Sequence, residues 1–167
     1  GTTIRKGTSY ALYRTPYWIP TDYGLLTPSG EAYNGFQPEF LTEVYDHNFT
    51  SGWKGKLGQW KLDGSATYGA SIVNYEVGNT INTSLCANSP TKFKAGGHQF
   101  SNIIGNIDLS RDFGNVLVGF GAEARNENFI AKEGEEASYF ESGASSFPGL
   151  QPQNAVNENR QNVGVYS

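Results

Sequence analysis

Between residues 60 and 72 the chain alternates with a period of two. Trp60, Leu62, Gly64, Ala66, Tyr68, Ala70 and Ile72 are apolar or small, while Lys61, Asp63, Ser65, Thr67, Gly69 and Ser71 are polar or small. Successive side chains of a strand point to opposite faces, so this pattern predicts a strand with one apolar and one wet face. It is longer than the usual strand of about 5–6 residues. A long strand with two such faces suits a wall between lipid and water, the pattern of a transmembrane β-barrel. Residues 115–126 repeat it, with Val116, Val118, Phe120, Ala122 and Ala124 on one face and Leu117, Gly119, Gly121, Glu123 and Arg125 on the other. Residues 102–110 place Ile103, Gly105, Ile107 and Leu109 outward and Asn102, Ile104, Asn106, Asp108 and Ser110 inward, with Ile104 the exception. Residues 8–19 and 40–52 are rougher but rich in the Tyr, Phe, Val and Thr that strands favour, and residues 159–167 begin a further strand.

The connections between these strands alternate in length. Residues 54–59 and 111–115 are short and carry Gly, as hairpin turns do. Those at about 20–38, 77–97 and 131–158 are long and rich in Gly, Pro, Ser and Asn. Loops of roughly 20 residues sit badly in a small soluble sandwich. Short periplasmic turns and long extracellular loops are the rule in outer-membrane barrels. The expected fold class is therefore all-β: an antiparallel, up-and-down transmembrane β-barrel segment of about six strands. One turn of helix is conceivable at residues 133–137. Tyr17, Trp18, Trp53 and Trp60 fall at strand ends, where interfacial aromatic girdles belong. Six strands fall short of the roughly eight needed for the smallest single-chain barrel, so residues 1–167 are expected to be a fragment of a larger one. An open sheet in lipid leaves unpaired backbone groups that cost several kcal/mol each.

Composition agrees. Only 37% of residues are hydrophobic, yet 14% are aromatic and 21 are Gly, an odd recipe for a soluble core. A net charge of −4 shows no nucleic-acid footprint. No apolar run of about 18 residues suggests a transmembrane helix. The chain opens with neither Met nor a signal peptide, which suggests processing or an excerpt. Cys86 is the sole cysteine, so neither an internal disulfide nor a cysteine-based zinc site is available.

Four phrases resemble the barrel of TonB-dependent outer-membrane receptors. Residues 60–69 (W-K-L-D-G-S-A-T-Y-G) are similar to the family's tryptophan–aspartate–tyrosine–glycine strand. Residues 79–93 (N-T-I-N-T-S-L-C-A-N-S-P-T-K-F) resemble the loop that follows it in one large bacterial subgroup. Residues 119–134 (G-F-G-A-E-A-R-N-E-N-F-I-A-K-E-G) resemble the next outward strand, and residues 146–152 (S-F-P-G-L-Q-P) the loop after that. The four stand in the family's order and cover roughly residues 36–167. The resemblance implies a plugged barrel of about 22 strands in the bacterial outer membrane, importing a scarce nutrient such as a siderophore, vitamin, oligosaccharide or peptide with energy relayed by TonB. Its implied partners are the rest of the barrel and its plug, the TonB complex, outer-membrane lipid and the small nutrient ligand. Neither plug nor TonB box is recognisable in these residues, so transport belongs to the parent receptor.

Candidate site residues follow from position. Trp18, Tyr23 and Tyr33, in or beside the first long loop, are candidates to stack on a sugar, haem or peptide, and loop packing or a headgroup position also accounts for them. Asp63, Glu123 and Arg125 are expected to face the lumen, as plug contacts or as a hydrated wall. His47 and His98 lack further ligands at a metal-binding spacing, and no cofactor is called for. Gly119-Phe120-Gly121 is not a dinucleotide fingerprint, the sequons at Asn48 and Asn82 carry no meaning in a bacterial outer membrane, and no catalytic constellation can be defended. The expectation is a non-enzyme. The alternative is a soluble all-β module binding carbohydrate or another ligand, and a passive porin is a third reading.

Overall fold

A computed structural model describes residues 2–10, by their backbone, and residues 38–167. Six strands form one antiparallel sheet in which each pairs with its neighbour in sequence. They are β1 (Thr2–Tyr10), β2 (Glu39–Leu57), β3 (Trp60–Gly78), β4 (Phe93–Asp112), β5 (Leu117–Lys132) and β6 (Val156–Tyr166). The sheet is open, with β1 and β6 as its edges. This is the all-β, up-and-down arrangement that the alternation predicted.

The elements differ from the expected ones mainly at their ends. β2 runs straight through the turn expected at 54–59, and only Gly58 and Gln59 make the reversal. Gly58 has φ +62°, as the first central position of a II′ hairpin requires. The second hairpin closes with the Phe113 amide on the Val116 carbonyl and the Gly114 amide on Asp112 Oδ1. β3 continues to Gly78, so the second long connection shrinks to residues 79–92 and the third to 133–155. The first described strand, Thr2–Tyr10, begins earlier than the expected 8–19. Beyond residue 10 that expectation, with Tyr17 and nearly all of the loop at 20–38, lies outside the described residues. Polar residues near strand ends obscured the extra length. A backbone already held in a ladder extends through polar residues as long as one neighbouring strand continues to pair, as β3 does with β2 to Leu57.

Register decides which side chains share a face. Ser51, Trp53 and Gly55 of β2 lie opposite Ala66, Gly64 and Leu62 of β3. Leu62, Gly64, Ala66 and Tyr68 lie opposite Leu109, Ile107, Gly105 and Ile103 of β4. Gly105, Ile107 and Leu109 then meet Ala124, Ala122 and Phe120 of β5, and Ala122 and Ala124 meet Val165 and Val163 of β6. One face is therefore apolar across five strands. Phe49, Trp53, Tyr68, Ile103, Ile107, Phe120, Val163 and Val165 on it are all exposed, Ile103 by 60% and Val165 by 81%.

Burial concentrates elsewhere, where the two long connections meet the sheet. Val77, Phe93, Ala95 and Ala131 of the strands are buried there, as are Ile81 and Ala144 of the connections. The connection 79–92 contains a 3-10 turn (Thr83–Asn88), and 133–155 contains α1 (Glu136–Tyr139), near the helical turn expected at 133–137, and a 3-10 turn (Pro152–Asn154). They are docked together as a cap. The Ser145 amide donates to the Ile81 carbonyl, Thr80 Oγ1 to the Ser145 carbonyl, and the Leu150 amide to the Ala95 carbonyl.

Candidate functional site

The polar face carries the candidate chemistry. At the two-residue-turn end, Lys54 Nζ lies 2.8 Å from Asp63 Oδ2 on the paired strand. Asp63 stands opposite Asp108, whose Oδ1 accepts the Tyr166 hydroxyl at 2.5 Å. Farther along, Arg125 lies 2.8 Å from Glu123 and 3.7 Å from Glu127, and Arg160 places Nε and Nη2 on Glu127 Oε2 at 2.8 and 2.6 Å. Asn162 Nδ2 adds a contact at 3.3 Å. Asp63, Glu123 and Arg125 thus share the polar face of the sheet. They do not converge on one point: Asp63 belongs to the Lys54 pair, and the other two join a ladder centred on Glu127. Glu127 was missed in the sequence because a Glu inside N-E-N-F reads as the frayed end of a strand. Its importance comes from Arg160 on the neighbouring strand, 33 positions away.

Nearer the cap this face turns aromatic. Phe40 and Tyr75 have ring centroids 5.4 Å apart, Tyr75 meets His98 edge-on at 5.5 Å, and His98 stacks on Phe129 at 5.7 Å and 25°. The Tyr75 hydroxyl lies 3.2 Å from His98 Nδ1. Phe147 reaches in from the cap to meet Phe40 at 4.9 Å and Tyr75 at 6.3 Å. A row of rings spanning four strands can stack on a flat apolar surface. Beside it lies a hollow of about 330 Å³ lined by Asp46, Asn48, Ser71, Phe100 and Asn102, with the Asn102 side chain folded across Gly69. These side chains come from three strands, so linear spacing held no signal for them.

The remaining expectations resolve as follows. Trp18, Tyr23 and Tyr33 lie outside the described residues. His98 belongs to the aromatic row, whereas His47 pairs with Ala70 on the opposite face, so the two histidines cannot share a ligand. Among the described residues no group of three His, Cys, Asp or Glu could hold a metal ion. Asn82 of the second sequon is fully buried. Its Nδ2 donates to the carbonyls of Ala137 and Phe140, and its Oδ1 accepts the Ser84 amide. Tyr139 on α1 has its hydroxyl pKa held above the usual tyrosine range, first by burial and then by the carboxylates of Glu133 and Glu136. It stays a neutral donor at ordinary pH.

The apolar face carries its own aromatic cluster at the turn end. Trp60 meets Phe113 edge-on at 6.4 Å and Phe120 at 6.3 Å, and the Arg111 guanidinium lies over Phe113 at 4.5 Å and over Trp60 at 5.8 Å. The Trp53 ring lies across Gly55, so a side chain there would collide with it. Comparison with known proteins adds no relative: no family model, no curated protein and no solved structure matches the chain.

Proposed function

We propose that this chain is part of the barrel wall of a TonB-dependent outer-membrane receptor that binds and imports a scarce nutrient. The observation that carries the membrane reading is the exposed apolar patch over β2–β6, from Leu62, Leu109 and Phe120 to Phe49, Tyr68 and Ile103, backed by a polar face of paired charges. Across the neighbouring strands the apolar rows run from Trp60 to Tyr68, about 27 Å along the strand or about 19 Å at a tilt of about 45°, before His47, Ser101 and Asn128 fall in register with Ala70. An exposed apolar patch of this extent on a soluble monomer invites association. The turn-end cluster of Trp53, Trp60, Phe113 and Arg111 suits an interfacial girdle, with an Arg extending from apolar surface toward water. The unpaired edges of β1 and β6 find their partners in the rest of the barrel.

The receptor reading rests on the four sequence phrases, together with a cap folded over the polar face and an aromatic row beneath it. Nutrient contacts are assigned to that row and to the cap. The polar ladder around Asp63, Glu123, Arg125 and Glu127 faces the lumen and the plug.

The test uses the natural polypeptide that contains these residues. It should fractionate with outer membranes, need detergent for extraction, and support nutrient uptake that stops when TonB is removed. Recovery as a soluble monomer would favour a soluble ligand-binding module. Outer-membrane location with TonB-independent flux would favour a porin.

A further inference from the structure

Two phenylalanines stand exposed where the sheet is otherwise wet. Phe100 and Phe129 are register partners on the polar face, each exposed by 41%. Their row reads Asp46, Ser71, Phe100, Phe129 and Glu158, and the next row toward the two-residue turn reads Asn48, Gly69, Asn102, Glu127 and Arg160. Rings set among polar groups mark a place where a ligand gains by covering apolar surface.

The β2–β4 part of these two rows encloses the hollow of about 330 Å³. Gly69 leaves its floor without a side chain. Asn102 fills part of that gap, with Oδ1 2.7 Å from the place that a Cβ at Gly69 would take. Asp46, Asn48 and Ser71 supply the rest of the polar wall, and Phe100 supplies a ring. His47 and Ala70 also border the hollow, but register directs their side chains to the other face. Among the described residues no Lys or Arg lines it. The guanidinium groups of Arg125 and Arg160 on the same face are committed to Glu123 and Glu127.

This set of groups selects a chemistry. Amides and hydroxyls both donate and accept, as the hydroxyls of a sugar require, and the C–H face of a pyranose can cover an aromatic ring. An anionic ligand finds no cation in the hollow. A flat, wholly apolar ligand would cover the Asn102 amide and the Ser71 hydroxyl without giving them partners.

We propose that this hollow seats one pyranose ring of a neutral saccharide, stacked on Phe100 and hydrogen-bonded by Asn102 and Ser71, with Asp46 and Asn48 at its rim. The saccharide chain continues over Phe129 and His98 toward the cap, each row being a step of about 7 Å along the strand. The inference rests on the receptor reading of the preceding subsection, which makes this face the wall of a water-filled lumen. It selects saccharides from the nutrients that reading leaves open.

The experiment titrates the natural polypeptide in detergent, by isothermal calorimetry, with maltohexaose, cellohexaose, mannohexaose and xylohexaose, and with citrate as an anionic control. At least one saccharide should bind and citrate should not. Phe100→Leu and Asn102→Ala should each weaken that binding by roughly two- to tenfold. Phe100→Tyr, which keeps the ring, should retain it, and Ser65→Ala, farther along the same face, should leave it unchanged. Binding of none of the four, or Phe100→Leu binding as the wild type does, would overturn the proposal. TonB-dependent uptake of other solutes without saccharide binding would overturn it while leaving the receptor reading intact. Saccharide binding by a polypeptide recovered from the soluble fraction would keep the site and overturn the receptor reading instead.

Discussion

At the scale of single residues, facing decides what a substitution does. On the proposed reading Ala122, opposite Ile107 and Val165, faces hydrocarbon. Ala122→Arg should destabilise the parent barrel by about 2–4 kcal/mol if near the midplane, measured by urea titration in lipid vesicles. Ser65→Arg, on the polar face, should be much milder, and equal effects would argue against the facing. Gly121 also faces inward, but it is no neutral control. The Tyr166 ring lies over it and Asp108 crowds the same space, so a side chain at Gly121 must displace both. Asn82 offers a second test. Asn82→Ala strips partners from the carbonyls of Ala137 and Phe140 in a buried setting, a loss of about 1–3 kcal/mol. Hydrogen exchange should quicken at the amides of Ser138, Ala144 and Ser145 while those of β3 and β4 stay protected.

At the scale of elements, the cap departs most from what the sequence suggests. Residues 79–92 and 133–155 read as polar loops, yet they hold each other through Asn82, Thr80 and the Ser84–Ser142 hydroxyl pair at 2.6 Å. Gly134 and Gly149 both press against Ser138, where a Cβ would collide with its hydroxyl. Gly149→Val should therefore loosen the cap without disturbing the strands. Phe147 ties the cap to the aromatic row, and each aromatic contact of this kind is worth about 0.5–1.5 kcal/mol. Phe147→Ala should expose residues 133–155 to limited proteolysis several-fold faster, by an amount consistent with that energy. Cleavage at the wild-type rate would mean that backbone bonds such as Leu150 to Ala95 hold the cap alone.

At the scale of the whole molecule, no second layer covers the sheet among the described residues. Its strands are joined by hydrogen bonds, most of its buried side chains lie where the cap meets it, and large apolar side chains stand exposed on one face. On the proposed reading, lipid completes it on one side and further strands at its edges. A polypeptide comprising residues 38–167 alone should require detergent and should self-associate in its absence, as sedimentation would read. A soluble monomer with a cooperative melt would contradict the barrel reading.

Strand character and facing were legible in the sequence because a period of two is a local property: each residue's side is set by its neighbours. Hence Asp63, Glu123 and Arg125 share one face of the sheet, and even Ile104 lies on that face, opposite Thr67 and Arg125. Composition and loop spacing likewise indicated a single meandering sheet. What local pattern could not determine was anything that depends on which strand lies beside which, and at what offset. Strand ends moved because pairing carried β2 and β3 through polar residues. The Glu127–Arg160 pair, the Phe40–Tyr75–His98–Phe129 row and the docking of the cap through Asn82 all join residues distant in sequence. Strand register and tertiary contact brought them together, and only the folded sheet contains that information.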